Sequence, residues 1–75
     1  MQDLTGFQRD LLYVIAGLDE PHGLAVKAEM EEYYTSEIHH GRLYPNLDTL
    51  VDKGLVEKEG VIEEFSWFAE SALTN

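Results

Sequence analysis

Gly41-Arg42-Leu43-Tyr44-Pro45-Asn46-Leu47-Asp48-Thr49-Leu50-Val51-Asp52-Lys53-Gly54-Leu55-Val56 is the stretch whose reading decides the fold. Leu43, Leu47, Leu50 and Val51 recur at helical spacing and form one apolar stripe, which predicts a helix from about Gly41 to Lys53. The reading puts Pro45 in the first turn, where the backbone N–H has no intrahelical partner and proline is tolerated. Gly54 is a natural terminator, and the Lys53 cation suits the C-terminal end of the helix dipole. Leu55-Val56-Glu57-Lys58 then reads as a short strand.

Towards the N-terminus, Thr5 and Gln8 match a capping box. Phe7, Leu11, Val14, Ile15 and Leu18 follow at helical spacing. Asp19-Glu20-Pro21-His22-Gly23 breaks that helix. A second helix is expected from about Leu24 to Tyr34, with Leu24, Val26, Met30 and Tyr33 as its apolar positions and Glu29, Glu31 and Glu32 facing water. Thr35-Ser36-Glu37 reads as the turn. Towards the C-terminus, Gly60 closes a hairpin if Phe65, Trp67 and Ala69 alternate on a second strand. Val61, Phe65, Phe68 and Ala72 equally fit helical spacing. The hairpin, followed by a short helix or frayed end, is the preferred reading of residues 60–75. Three helices and a strand at this spacing form a winged helix-turn-helix: mainly α with a small β-wing (α+β), one domain over residues 1–75.

The chain has 75 residues and no Cys. A domain of this size buries only about 60% of the surface its unfolded chain exposes. No disulfide compensates, so a homodimer is expected. Met1-Gln2-Asp3 lacks the features of a signal peptide. The longest apolar run, Leu11–Leu18, is far short of the roughly 20 residues that span a bilayer. The expected location is the cytoplasm, with no membrane partner.

Fifteen acids against five bases give a formal net charge of −10. A uniformly acidic surface repels DNA, whose binding rests on Lys and Arg displacing counterions. The charge is uneven, however. Residues 36–58 carry Arg42, Lys53 and Lys58 against Glu37, Asp48, Asp52 and Glu57, close to balance. The rest of the chain sets Arg9 and Lys27 against eleven acids. Residues 38–47 form the longest acid-free stretch and hold His39, His40 and Arg42. The remaining acidity reads as adaptation to a salty medium, because at molar salt the Debye length falls to about 3 Å and distant acids repel DNA little.

The sequence resembles the PadR-like family of winged-helix transcription regulators, particularly acidic members from salt-loving archaea, over roughly residues 4–58. The residues that carry the resemblance are Leu12-Tyr13, Pro21-His22-Gly23-Leu24, Gly41-Arg42-Leu43-Tyr44-Pro45-Asn46-Leu47 and Leu50-Val51-Asp52-Lys53-Gly54-Leu55-Val56. The resemblance implies a recognition helix in the major groove of double-stranded DNA, a β-wing near the flanking backbone, and a homodimer. The family wing is usually basic, whereas Glu59-Gly60-Val61-Ile62-Glu63-Glu64 is acidic. Family members also tend to carry a long C-terminal dimerisation helix, and this chain stops at Asn75.

In helix-turn-helix recognition the N-terminal part of the motif's second helix enters the groove. Arg42, Tyr44, Pro45, Asn46 and Thr49 lie there, off the leucine stripe. Arg42 suits guanine, Asn46 suits adenine, and Thr49 suits a thymine methyl or a phosphate. The competing reading is a solvated helix face with Tyr44 in the core. His39 and His40 suit a phosphate at the helix N-terminus, or are simply exposed turn residues. Imidazole titration would make phosphate binding pH-dependent. A metal site is not expected, since no third ligand stands at a convincing spacing. Lys27, Lys53 and Lys58 suit backbone positioning, or else i,i+4 pairing of Lys27 with Glu31 and of Lys53 with Glu57. Asp48 and Asp52 share this helix; either one facing DNA means a different orientation or the reading of a cytosine. Val61, Ile62, Phe65, Trp67 and Phe68 close the core or, if left exposed, form a dimer surface. Leu4, Leu12 and Tyr13 of the first helix are the other dimer candidates.

No enzyme or cofactor is expected: there is no Cys, no Ser-His-acid pattern and no glycine-rich phosphate loop. The alternative function is an acidic winged-helix module that binds a protein partner and not DNA.

Overall fold

The computed structural model describes residues 4–61 and 64–70. Its elements in chain order are α1 (Gly6–Gly17), α2 (Gly23–Tyr34), α3 (His40–Asp52), β1 (Val56–Val61) and β2 (Glu64–Ala69). The predicted capping box starts α1: Thr5 Oγ1 accepts from the Gln8 N–H at 3.1 Å, and Gln8 Oε1 accepts from the Thr5 N–H at 3.3 Å. α3 closes as predicted on Gly54, which takes φ +75°. The Leu55 N–H reaches back to the Leu50 carbonyl and the Gly54 N–H to that of Val51, each at 3.0 Å, a Schellman closure.

β1 and β2 form an antiparallel hairpin running from the Val56–Ala69 pair to the Val61–Glu64 pair. Gly60 takes φ +123°, and a Cβ there would run into the Glu64 carbonyl oxygen, so only glycine fits. The middle of β2 is stitched to the entry of α2. The Trp67 N–H donates to the Pro21 carbonyl at 2.9 Å, and His22 bridges Ser66. The helical alternative for the region after Gly60 is thereby replaced by the preferred hairpin. The short terminal helix, and Ile62, lie outside the described residues.

The core joins Leu11 and Ile15 of α1, Val26 and Met30 of α2, the three leucines of α3, Leu55, Val56 and Trp67. Three expectations need correction, and one buried residue went unread. Leu24 and Tyr33 are 71% and 56% exposed, because α2 buries only the narrow stripe of Val26 and Met30. Ile38, assigned no role in the sequence, is buried in the loop before α3. Glu31 does not simply face water: its Oε2 accepts from the Ile38 N–H at 2.9 Å and from Lys27 Nζ at 2.8 Å. These two donors, the lysine first, hold the Glu31 carboxyl below its ordinary range. Pro45 lies inside α3, past the first turn, since the helix already starts at His40. Gly41, four residues earlier, is exposed at the surface, where its carbonyl loses the donor that proline lacks.

Candidate nucleic-acid interface

The leucine stripe anchors α3 against the core and leaves three other directions. One edge faces α1, the other faces the wing, and the crest looks outward.

Arg42 and Asn46 lie on the α1 edge. The Arg42 guanidinium carbon stands 4.0 Å from the centre of the Phe7 ring. Arg42 is exposed, and no acid pairs with it among the described residues. Asn46 is half-buried: its Oδ1 accepts from Gln8 Nε2 at 2.9 Å, and its Nδ2 donates to the Arg42 carbonyl at 2.7 Å. A carboxamide has two donors and two acceptor lone pairs, so one N–H and one lone pair of Asn46 remain. Phe7 in turn stacks on Tyr34, with ring centres 5.8 Å apart and planes within 7°. The Tyr34 hydroxyl donates to the Asp10 carboxylate. That bond, helped by burial and by the charge of Asp10, pushes the phenol up to about 12.

His40, Tyr44 and the wing share the second edge. His40 stacks on Tyr44 at 5.3 Å, Tyr44 meets Trp67 at 5.7 Å, and Trp67 meets Phe65 at 6.3 Å. Tyr44 is half-buried, with its hydroxyl where a Cβ on Gly23 would otherwise sit. Lys58 covers the wing aromatics, its Nζ 4.1 Å from the Phe65 ring centre. An open cleft of about 640 Å³ lies between this edge, the start of α2 and β2. Trp67 borders it, and its buried indole N–H has no hydrogen-bond partner among the described residues.

The crest of α3 carries exposed Gly41, Pro45, Asp48 and Asp52. Two carboxylates therefore face outward, the case in which the orientation differs or a cytosine is read. Thr49 is half-buried and donates its hydroxyl to the Pro45 carbonyl at 3.0 Å. His39 is the exposed N-cap residue and makes no side-chain cap bond. Lys53 has no ion-pair partner among the described residues, whereas Lys27 is taken up by Glu31 at 2.8 Å. Of the residues considered for a dimer surface, Tyr13 is 76% and Phe68 38% exposed, while Trp67 at 3% belongs to the core. Leu4 and Phe65 are half-buried against that core. Sequence reasoning missed the parts played by Phe7 and Gln8. The only signal was that a capping-box glutamine keeps its Nε2 free for a further partner.

A family model described as the transcriptional regulator PadR-like family matches residues 11–65, from α1 to the start of β2. The chain belongs to the PadR-like family. The resemblance read from the sequence thus holds and extends into the wing. Among solved structures, RosR of H. salinarum, grown from NaBr, is similar with a TM-score of 0.86 and 47% identity over 97% of this chain and 66% of that one. The structure of the hsRosR-S1 complex gives a TM-score of 0.85 and 48% identity over 96% of this chain and 64% of that one. The hsRosR-S4 complex gives 0.85 and 47% over 97% and 64%. The PadR-like chain spans just under two thirds of these RosR chains. No curated protein matches it. Three helices and a hairpin make it a winged helix, and its family is one of regulators, not enzymes. No helix among the described residues is long and apolar enough to cross a membrane.

Proposed function

We propose that this PadR-like chain is a sequence-specific DNA-binding regulator of transcription. It acts in the cytoplasm as a homodimer of single-domain protomers and lays α3 in the major groove. The observation that carries the reading is the presentation of α3 within a PadR-like winged helix. The leucine stripe is spent on the core, and Arg42, exposed at the N-terminal end of this helix, has no acid paired with it among the described residues. The contacts come from the N-terminal end of α3, with His39, His40 and Arg42, and from Pro45, Asn46 and Thr49 between its crest and its α1 edge; Tyr44 buttresses the helix from the wing side. Lys53 and Lys58 lie nearer the flanking backbone, and Lys27 contributes least because Glu31 holds it. Exposed Tyr13 and Phe68 belong to the dimer surface. The acidic remainder suits binding at high salt, where screening is strong.

A second reading has its own observation. Asp48 and Asp52 on the crest of α3, together with an acidic wing, suit a protein partner better than phosphate. A mobility-shift titration at graded salt separates the two. The regulator gives a shifted duplex, a linear fall of log affinity with log salt, and loss of affinity on Arg42→Ala. No shift at any salt, with a protein partner recovered in pull-downs, overturns it.

A further inference from the structure

The Gln8 carboxamide is engaged at both ends. Its Oε1 accepts from the Thr5 N–H at 3.3 Å, and its Nε2 donates to Asn46 Oδ1 at 2.9 Å. Asn46 Nδ2 then donates to the Arg42 carbonyl at 2.7 Å. Main-chain groups terminate this relay: an N–H that only donates and a C=O that only accepts. Polarity therefore runs one way through both carboxamides, and neither flips without breaking two hydrogen bonds. The N–H and lone pair left on Asn46 are the complement of adenine N7 and N6–H₂.

Arg42 is ordered from the same turn of α1. Its guanidinium lies over Phe7, which is itself clamped by stacking on Tyr34. The contact favours one placement of a long flexible side chain before any ligand arrives, which reduces part of the ordering that binding would otherwise require.

We infer that Phe7 and Gln8 are positioning residues: by fixing the side chains of Arg42 and Asn46 they set the base preference of a helix to which they do not belong. The inference rests on the DNA-binding reading above. It assigns specificity to residues that touch no base.

The test is site selection from a random duplex pool with the full chain, comparing wild type with Gln8→Glu. A glutamate still accepts from the Thr5 N–H, so the capping box stands, but it cannot donate to Asn46. The expected result is at least about a fivefold loss of discrimination at one position of the site, the lower bound for a bidentate contact. Preferences elsewhere stay unchanged. In an Asn46→Ala background the same substitution changes nothing further, an epistasis that a merely structural role would not produce. Phe7→Leu, which keeps an apolar side chain but removes the ring face, relaxes a different position, the one read by Arg42. A wild type that selects no sequence overturns the DNA-binding reading and this inference together. A wild type that selects a site, with Gln8→Glu retaining every preference, overturns the inference alone. Should Gln8→Glu fail to fold, the side-chain amide resonances of the wild type decide. Slowed hydrogen exchange at both Gln8 and Asn46 supports the relay, and fast, independent exchange at either overturns it.

Discussion

Gln8 and Asn46 stand 38 positions apart in the chain and are joined by a 2.9 Å hydrogen bond between their side chains. The bond ties the N-terminal turn of α1 to the middle of α3, so local capping and tertiary packing share one side chain. Gln8→Ala removes both the reciprocal cap and the bond to Asn46. The expected loss is about 1–2 kcal/mol, from two side-chain hydrogen bonds of roughly 0.5–1 each, because the bond from the residue-8 N–H to Thr5 Oγ1 survives. Thermal unfolding then shifts down by roughly 4–8 °C per kcal/mol for a domain of this size. Gln8→Glu keeps the bond from the Thr5 N–H but sets a carboxylate, at a position only 9% exposed, against Asn46 Oδ1, so it is expected to fall at least as far.

Tyr34 sets an alkaline limit. Its phenol is raised to about 12 in the fold, foremost by donating to Asp10, from an ordinary value of 10.0. A group whose folded pKa is raised contributes stability that is complete below its unfolded pKa and lost as pH rises through the folded one. Stability should therefore decline between about pH 10 and 12. In Tyr34→Phe that part of the decline should be absent, and stability at neutral pH should fall by about 1 kcal/mol. Denaturant titrations at several alkaline pH values check both.

Thr35 ends α2 with φ +53°, in the left-handed region that a β-branched residue rarely adopts. Strain of this kind costs about 1–3 kcal/mol, offset in a glycine by its larger loss of backbone entropy. Thr35→Gly should raise stability by about 0.5–1 kcal/mol, even though the Thr35 hydroxyl loses its 2.6 Å contact with the Tyr34 carbonyl. A lower melting temperature for this variant would show that the local bond outweighs the strain.

Asp48 and Asp52 project from the crest of α3. Replacing both with Asn should raise affinity for any duplex several-fold at low salt, with the gain shrinking towards molar salt as the Debye length falls to about 3 Å. If Asp48 instead accepts from a cytosine, Asp48→Asn will lose discrimination at one base pair while non-specific affinity rises. Competition titrations with specific and random duplexes distinguish these outcomes.

The parts of the fold readable in the sequence are those where one physical signal acts alone. Thr5 with Gln8 opens α1, Gly54 closes α3, and the leucine spacing settles which side of α3 is buried. Periodicity fails where a helix is only weakly amphipathic. α2 buries just Val26 and Met30, so nothing in the spacing rejects Leu24 and Tyr33 from its stripe. Ile38 sits in a loop, where no period exists to reveal it. The candidate interface was half-readable for a related reason. A stripe says which face meets the core, but not which neighbour flanks each edge. That Arg42 and Asn46 lean on α1, and that Tyr44 leans on the wing, follows from the crossing of three helices, which the residues of α3 do not encode by themselves.

Trp67 is the chain's single tryptophan, and it packs beside Tyr44 where the wing meets α3. Its indole is therefore a built-in fluorophore at the seam between the two parts that would embrace a duplex. Any event that pries the hairpin from the helix will register as a red shift in emission, without a label and without altering the molecule.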